Sequence, residues 1–307
     1  MLPVQSSLNR LEPGNVIPFP SSTRAGIGRA PGTFGELLQG ALVGESNNFL
    51  VTFPISRESI ATFQPDTTSR EVKTYPPGKR KSGQLARRLL DSQGIQVGGT
   101  LVFLDQLPEG KGLASSSADM VASARAVSDY YDFDIDDTAL ATLLGSIEPT
   151  DGVMYNECVS FFHRRCELIS RLGTLPPLIV VSLDEGSTVD TLEYNAKAGS
   201  HSDEELAEYS HLLKRMSTAI GAGDKRAIGR VATRSAEMNQ KYNPKRYFPL
   251  VTKTAEYFDA LGVVVAHSGT YIGVLLDPMR QDFLRQFSQV QIALSRSARP
   301  IEIFRSF

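Results

Sequence analysis

The run Pro108-Glu109-Gly110-Lys111-Gly112-Leu113-Ala114-Ser115-Ser116-Ser117-Ala118-Asp119 holds the residue types that grip an anion. Glycines let a backbone come close to a bound group. The run lies between a predicted strand, TLVFL at 100–104, and a predicted helix with Met120, Val121, Ala124 and Val127 on one face. A helix start leaves about four N–H groups unpaired and carries about half a positive charge. Together these features point to an anion site, most naturally for phosphate. The serine hydroxyls can add hydrogen bonds, or one can ligate a metal that bridges phosphates; Lys111 adds positive charge. A polar loop with a serine N-cap uses the same residues. Neither GxxxxGK[ST] nor a Rossmann GxGxxG is present.

A second cluster is Glu148-Pro149-Thr150-Asp151, where Pro149 ends the preceding helix. Beside a triphosphate, one carboxylate can hold Mg²⁺ and the other can orient or deprotonate an acceptor hydroxyl. Without such a neighbour the pair reads as a helix end with solvated acids. Two more glycine-bearing segments, Arg29 to Gly40 and Ala266-His267-Ser268-Gly269-Thr270-Tyr271-Ile272-Gly273, read by themselves as a strand start with two turns and as a hairpin turn. His163 reads as structural, Cys158 and Cys166 as buried fillers, and Lys79-Arg80-Lys81 as a solvated loop. The stretch from Asp184 to Thr191 reads as a plain loop.

These segments need a large folded chain to position them. Of 307 residues, 41% are hydrophobic and 21% charged, with a net charge of -2. That mix is ordinary for a globular protein and lacks the basic excess of a dedicated nucleic-acid binder. No apolar run of about 18 residues suggests a membrane span. Two cysteines, no CxxC and no HExxH exclude a disulfide framework and make a structural zinc site unexpected. The thiols, and an N-terminus without a signal-like apolar block, fit a reducing, cytoplasmic setting. Residues 1–23 read as a Pro-bearing arm. Domains are expected at 24–175 and 176–307, divided at the GTLPP stretch, 173–177.

Strands are expected at 48–55, 59–63, 100–104, 178–183, 263–266, 271–276 and 301–304, and strand-like character over 153–168. Helices are expected at 84–93, after Gly112, and at 137–147, 203–221, 224–242, 248–261 and 278–294. Residues 27–42 read as turns with a short apolar run, and 67–83 as loop. Strands and helices mix without a regular βαβ rhythm, which argues α+β.

The order Pro-x-x-x-Gly-Leu-Ala-Ser-Ser at 108–116 resembles the central phosphate-binding motif of the GHMP kinases. The segment Arg29-Ala30-Pro31-Gly32-Thr33-Phe34-Gly35-Glu36 resembles that family's first motif, and 266–273 its third. Thr33 stands where several members have lysine, so no catalytic lysine is expected there. The resemblance implies a two-domain α+β fold: a ribosomal protein S5 domain 2-like N-terminal domain with a left-handed βαβ crossover, rare by the handedness rule, and a ferredoxin-like C-terminal domain. The active site would lie between them.

It implies ATP bound by Pro108, Gly110, Lys111, Gly112, Leu113, Ala114, Ser115, Ser116 and Ser117. Ser116 and Glu148 would hold Mg²⁺, and Asp151 would activate the acceptor. Gly35, Glu36, Ser268, Gly269 and Thr270 would line the acceptor side, and in the family the stretch matching Asp184 to Thr191 can line the same pocket. Within the family, the Gly-Lys-Gly-Leu-Ala-Ser-Ser-Ser-Ala-Asp and Gly-Glu-Leu-Leu-Gln-Gly strings look most like the L-threonine kinases that serve cobalamin assembly, although Phe34 replaces a cysteine common there. The implied acceptor is a small hydroxy amino acid. Homoserine, isoprenoid alcohols and a non-catalytic nucleotide-binding role stay as alternatives, for a monomer or homodimer without nucleic-acid or membrane partners.

Overall fold

The computed structural model describes residues 24–44, 47–186, 201–266 and 269–307. The arm at 1–23, the part of the 184–191 stretch from Ser187 on, and His267 with Ser268 lie outside the described residues.

Two long strands, β1 (Gly26–Ala41) and β2 (Asn48–Asp66), form an antiparallel ribbon. Both correct the sequence expectation. Residues 27–42 are strand rather than turns, and Pro54 does not end a strand. The β1–β2 ladder breaks register between Pro31 and Thr33, and Pro54 lies opposite Thr33 at that irregularity. A residue without an N–H is tolerated where the ladder is already interrupted.

The stretch expected to be loop over 67–83 holds β3 (Val72–Tyr75) and the start of α1 (Arg80–Ser92). β3 then runs parallel to β4 (Gly98–Asp105), with α1 as the crossover. After β4 come α2 (Ser115–Tyr131) and α3 (Asp137–Gly145), then the hairpin of β5 (Cys158–Phe162) and β6 (Glu167–Gly173). α2 is buried on nearly every side. Its serines and alanines are small enough for close approach to β1 and β2, against which it packs.

The second half contributes β7 (Ile179–Asp184), α4 (Asp203–Gly221), α5 (Lys225–Asn239), α6 (Phe248–Tyr257), β8 (Gly262–Val265), β9 (Tyr271–Leu276), α7 (Phe283–Ser295) and β10 (Ile301–Arg305). α4 begins with a capping box of Ser202 and Glu205 and an acidic first turn, which sets its start. The four strands lie in the order β10-β7-β9-β8, all antiparallel. That order with the intervening helices is the ferredoxin-like arrangement. Among the described residues a single register pair, Glu36 to Val265, joins β8 to β1, so ten described strands form one sheet, α+β in class.

β7 shows how the sheet is buried on two faces. Leu178 and Val180 enter the larger core with Phe34, Phe53 and Phe304, while Val181 and Leu183 enter a second core under α6 and α7. This follows the two-residue period of a strand. No described helix is long and apolar enough to cross a membrane.

Candidate active site

The serine-rich run leaves β4 and opens α2, as its pattern suggests. Ala114 caps α2 in the left-handed conformation, φ 56°, and no side chain caps the first-turn amides. A non-glycine residue there costs of order 1 kcal/mol. Its neighbours hold the backbone in place. Thr33 N donates to Leu113 O at 3.2 Å, Gly35 N to Gly112 O at 2.9 Å, and Thr270 N to Lys111 O at 3.2 Å. The three glycine-bearing segments therefore meet through backbone hydrogen bonds.

Two glycines make this meeting possible. Gly112 has φ +84°, and a Cβ there would lie 2.4 Å from the Ala266 Cβ. A Cβ on Gly269 would lie 2.1 Å from Lys111 O. Either contact is closer than real Cβ atoms come.

The expected residues fall into three roles within the loop. Pro108 is exposed at its entry, and Gly110 turns it with φ +69°. Leu113 is buried in the core and anchors the loop, while Ser115 and Ser117 are buried at the helix start. Ser116 stays partly open, and its Oγ donates to Glu148 Oε1 at 2.5 Å. Lys111 pairs with Asp184 at 2.7 Å. Burial alone would raise the Asp184 carboxyl. Lys111, the Thr270 hydroxyl at 2.6 Å and the Gly186 N–H at 2.9 Å instead hold it below its ordinary range. Asp184 thus belongs to the wall of the site rather than to a plain loop.

Glu148 and Asp151 follow α3. Burial raises the Asp151 carboxyl to about 6, and the negative charge of Glu148 adds to the shift. Its proton affinity therefore lies near neutrality. Glu36, on β1, is buried beside the turn between β8 and β9. His163 is buried, and Cys158 and Cys166 are buried free thiols, Cys158 pushed up to about 12 by burial. All three fit the structural roles expected of them.

Lys79-Arg80-Lys81 is not a solvated loop. Lys79 precedes α1 and pairs with Asp119 and Glu109, each at 2.6 Å. Ser59 donates to the other Asp119 oxygen at 2.5 Å. Lys81 pairs with Glu148. Lys79, Lys81, Glu109, Ser116 and Asp119 line a cavity of about 340 Å³ between the starts of α1 and α2. The placement of these lysines has no local sequence signal, because it is set by tertiary contact with Glu109, Asp119 and Glu148.

Lys245 is a further residue with no sequence signal, one of several cations around Pro244. It is 6% exposed, and its Nζ donates to Gly269 O. Burial lowers it to about 8, against the opposing pull of Glu185 and Glu36.

Residues 81–157, which span α1, the serine loop, α2 and Glu148 with Asp151, match the family GHMP kinases N terminal domain. An L-threonine kinase of Citrobacter freundii is 29% identical over 269 residues, 83% of this chain and 88% of the relative. One of Salmonella typhimurium is 28% identical over 275 residues, 84% and 85%. The structure of a homoserine kinase from Cytophaga hutchinsonii superposes with a TM-score of 0.72 at 15% identity, covering 95% of this chain and 97% of that one. The chain is thus similar in sequence to the GHMP kinases N terminal domain over 81–157, about a quarter of its length, and shares the fold of a homoserine kinase along almost all of it.

Proposed function

We propose that this alcohol-group phosphotransferase moves the terminal phosphoryl group of ATP to the side-chain hydroxyl of L-threonine or a close hydroxy amino acid. One observation carries the reading. Uncapped first-turn amides of α2, the Ser116–Glu148 oxygen pair and the near-neutral Asp151 belong to one constellation. The similarity to L-threonine kinases supports L-threonine as the acceptor.

Phosphoryl transfer asks for positioning and charge stabilisation more than covalent chemistry. In this reading the amides of Ser115, Ser116 and Ser117 donate to phosphate oxygens. Lys79, Lys81 and Lys111 supply positive charge around them. Asp151 takes the hydroxyl proton as the acceptor oxygen bonds to phosphorus and the bond from phosphorus to the ADP oxygen breaks.

Ser116 Oγ and Glu148 Oε1 are hard oxygen donors that converge, and Glu148 already holds a cation, the Lys81 ammonium. Such a pair suits Mg²⁺, which takes few protein ligands and keeps waters and phosphates. Ser116 and Glu148 would hold the ion, and bound there it would offset charge on the phosphates.

The test is coupled ADP release with MgATP against L-threonine, L-serine, L-homoserine and mevalonate. L-Threonine is expected to give the highest kcat/KM. ADP release with mevalonate alone would overturn the acceptor assignment, and none with any alcohol would overturn the reading as a whole.

A further inference from the structure

We infer that Lys245 is the cation that receives the carboxylate of the acceptor, which makes it a specificity-determining residue. The inference rests on the hydroxy-amino-acid reading above.

A lysine 6% exposed is costly to bury unless its charge is used. Its ammonium has three donors. The contact made by Nζ is to a neutral carbonyl, Gly269 O. That carbonyl belongs to the turn packed on Lys111, whose own carbonyl accepts from Thr270 N. Lys245 is therefore one backbone layer from the phosphate loop, where an acceptor must come to meet the transferred group.

The charges facing it complete the pattern. Glu36, on β1, and Glu185, just past β7 and accepting from Tyr247 N at 2.8 Å, both act on it electrostatically. One buried cation flanked by two carboxylates complements a zwitterion. The cation suits an α-carboxylate and the carboxylates suit an α-ammonium. An acceptor without a carboxylate, such as a sugar or a plain amino alcohol, leaves Lys245 without that partner and forfeits a charge-assisted contact.

The experiment compares L-threonine with 1-amino-2-propanol, which keeps the amino and hydroxyl groups and lacks the carboxylate. Wild-type protein is expected to prefer L-threonine in kcat/KM. Lys245→Met is expected to raise KM for L-threonine by about tenfold to a hundredfold. KM for MgATP and turnover of 1-amino-2-propanol should stay within about threefold, and Lys245→Arg should recover part of the L-threonine affinity. If Lys245→Met weakens both acceptors and MgATP alike, Lys245 only latches the Gly269 turn and the inference falls. If wild type uses the two acceptors equally, no carboxylate is read and the inference falls without any variant. If wild type phosphorylates neither, the hydroxy-amino-acid reading itself falls, an outcome distinct from the other two.

Discussion

Asp151 and Glu148 are two carboxylates three residues apart whose surroundings separate them. Glu148 keeps a lysine and a serine hydroxyl on its oxygens, whereas burial and the charge of Glu148 raise Asp151 to about 6. In the proposed role Asp151 works only when ionised. kcat is therefore expected to fall as pH drops through about 6, with KM for ATP less affected. Asp151→Asn should lower kcat by about 10²–10⁴-fold, the usual worth of a general base. The same substitution should stabilise the protein. The folded carboxyl holds its proton up to about 6 and the unfolded one releases it near 3.8. Ionisation at neutral pH thus favours unfolding, by about 1–3 kcal/mol. Chemical denaturation at pH 7 checks the sign. A variant with normal turnover and unchanged stability would remove Asp151 from both roles.

At the scale of elements, the site is a meeting of a strand, a helix start and a hairpin turn, and sequence revealed these unevenly. β9 at Tyr271–Leu276 and α4 at Asp203–Gly221 match their expected bounds, because a run of apolar residues and a capped amphipathic repeat are local signals. β1 and β2 were read too short because Pro31, Gly32 and Pro54 look like breakers until a partner strand with a matching irregularity is known. The serine-rich loop was legible because all its parts are consecutive. Lys79, Lys81, Asp184 and Lys245 were not, since each joins the site only through tertiary contact. The weld between loop and turn gives an element-scale prediction. Gly269→Ala must push the β8–β9 turn off Lys111 O, 2.1 Å from the added carbon. KM for ATP is expected to rise by tenfold or more, with stability lowered by about 1–3 kcal/mol. Calorimetric ATP titration and thermal unfolding of the variant measure the two effects. Unaltered nucleotide affinity would mean that the turn does not position the phosphate loop.

The whole molecule is joined less by its backbone ladder than by its core. Among the described residues, only Glu36 and Val265 pair across β1 and β8. Phe34 on β1, by contrast, packs against Tyr271 on β9 at 5.8 Å and Phe304 on β10 at 4.9 Å between ring centroids. It also meets Phe53 on β2 at 6.4 Å. The larger core draws residues from both ends of the chain, from Ala30 to Phe304. Separate melting of residues 24–175 and 176–307 would open this shared cluster to water at about 25 cal/mol per Å² of apolar surface. Calorimetry of the ligand-free protein is therefore expected to give one transition, with calorimetric and van't Hoff enthalpies in agreement. Phe34→Ala removes a fully buried ring at the centre of the cluster and should cost about 3–5 kcal/mol. The loss should lower that one transition as a unit, because the ring touches both ends of the chain. Two resolved transitions in wild type, with Phe34→Ala shifting only one, would show that the halves fold independently and that the aromatic contact is incidental to their union.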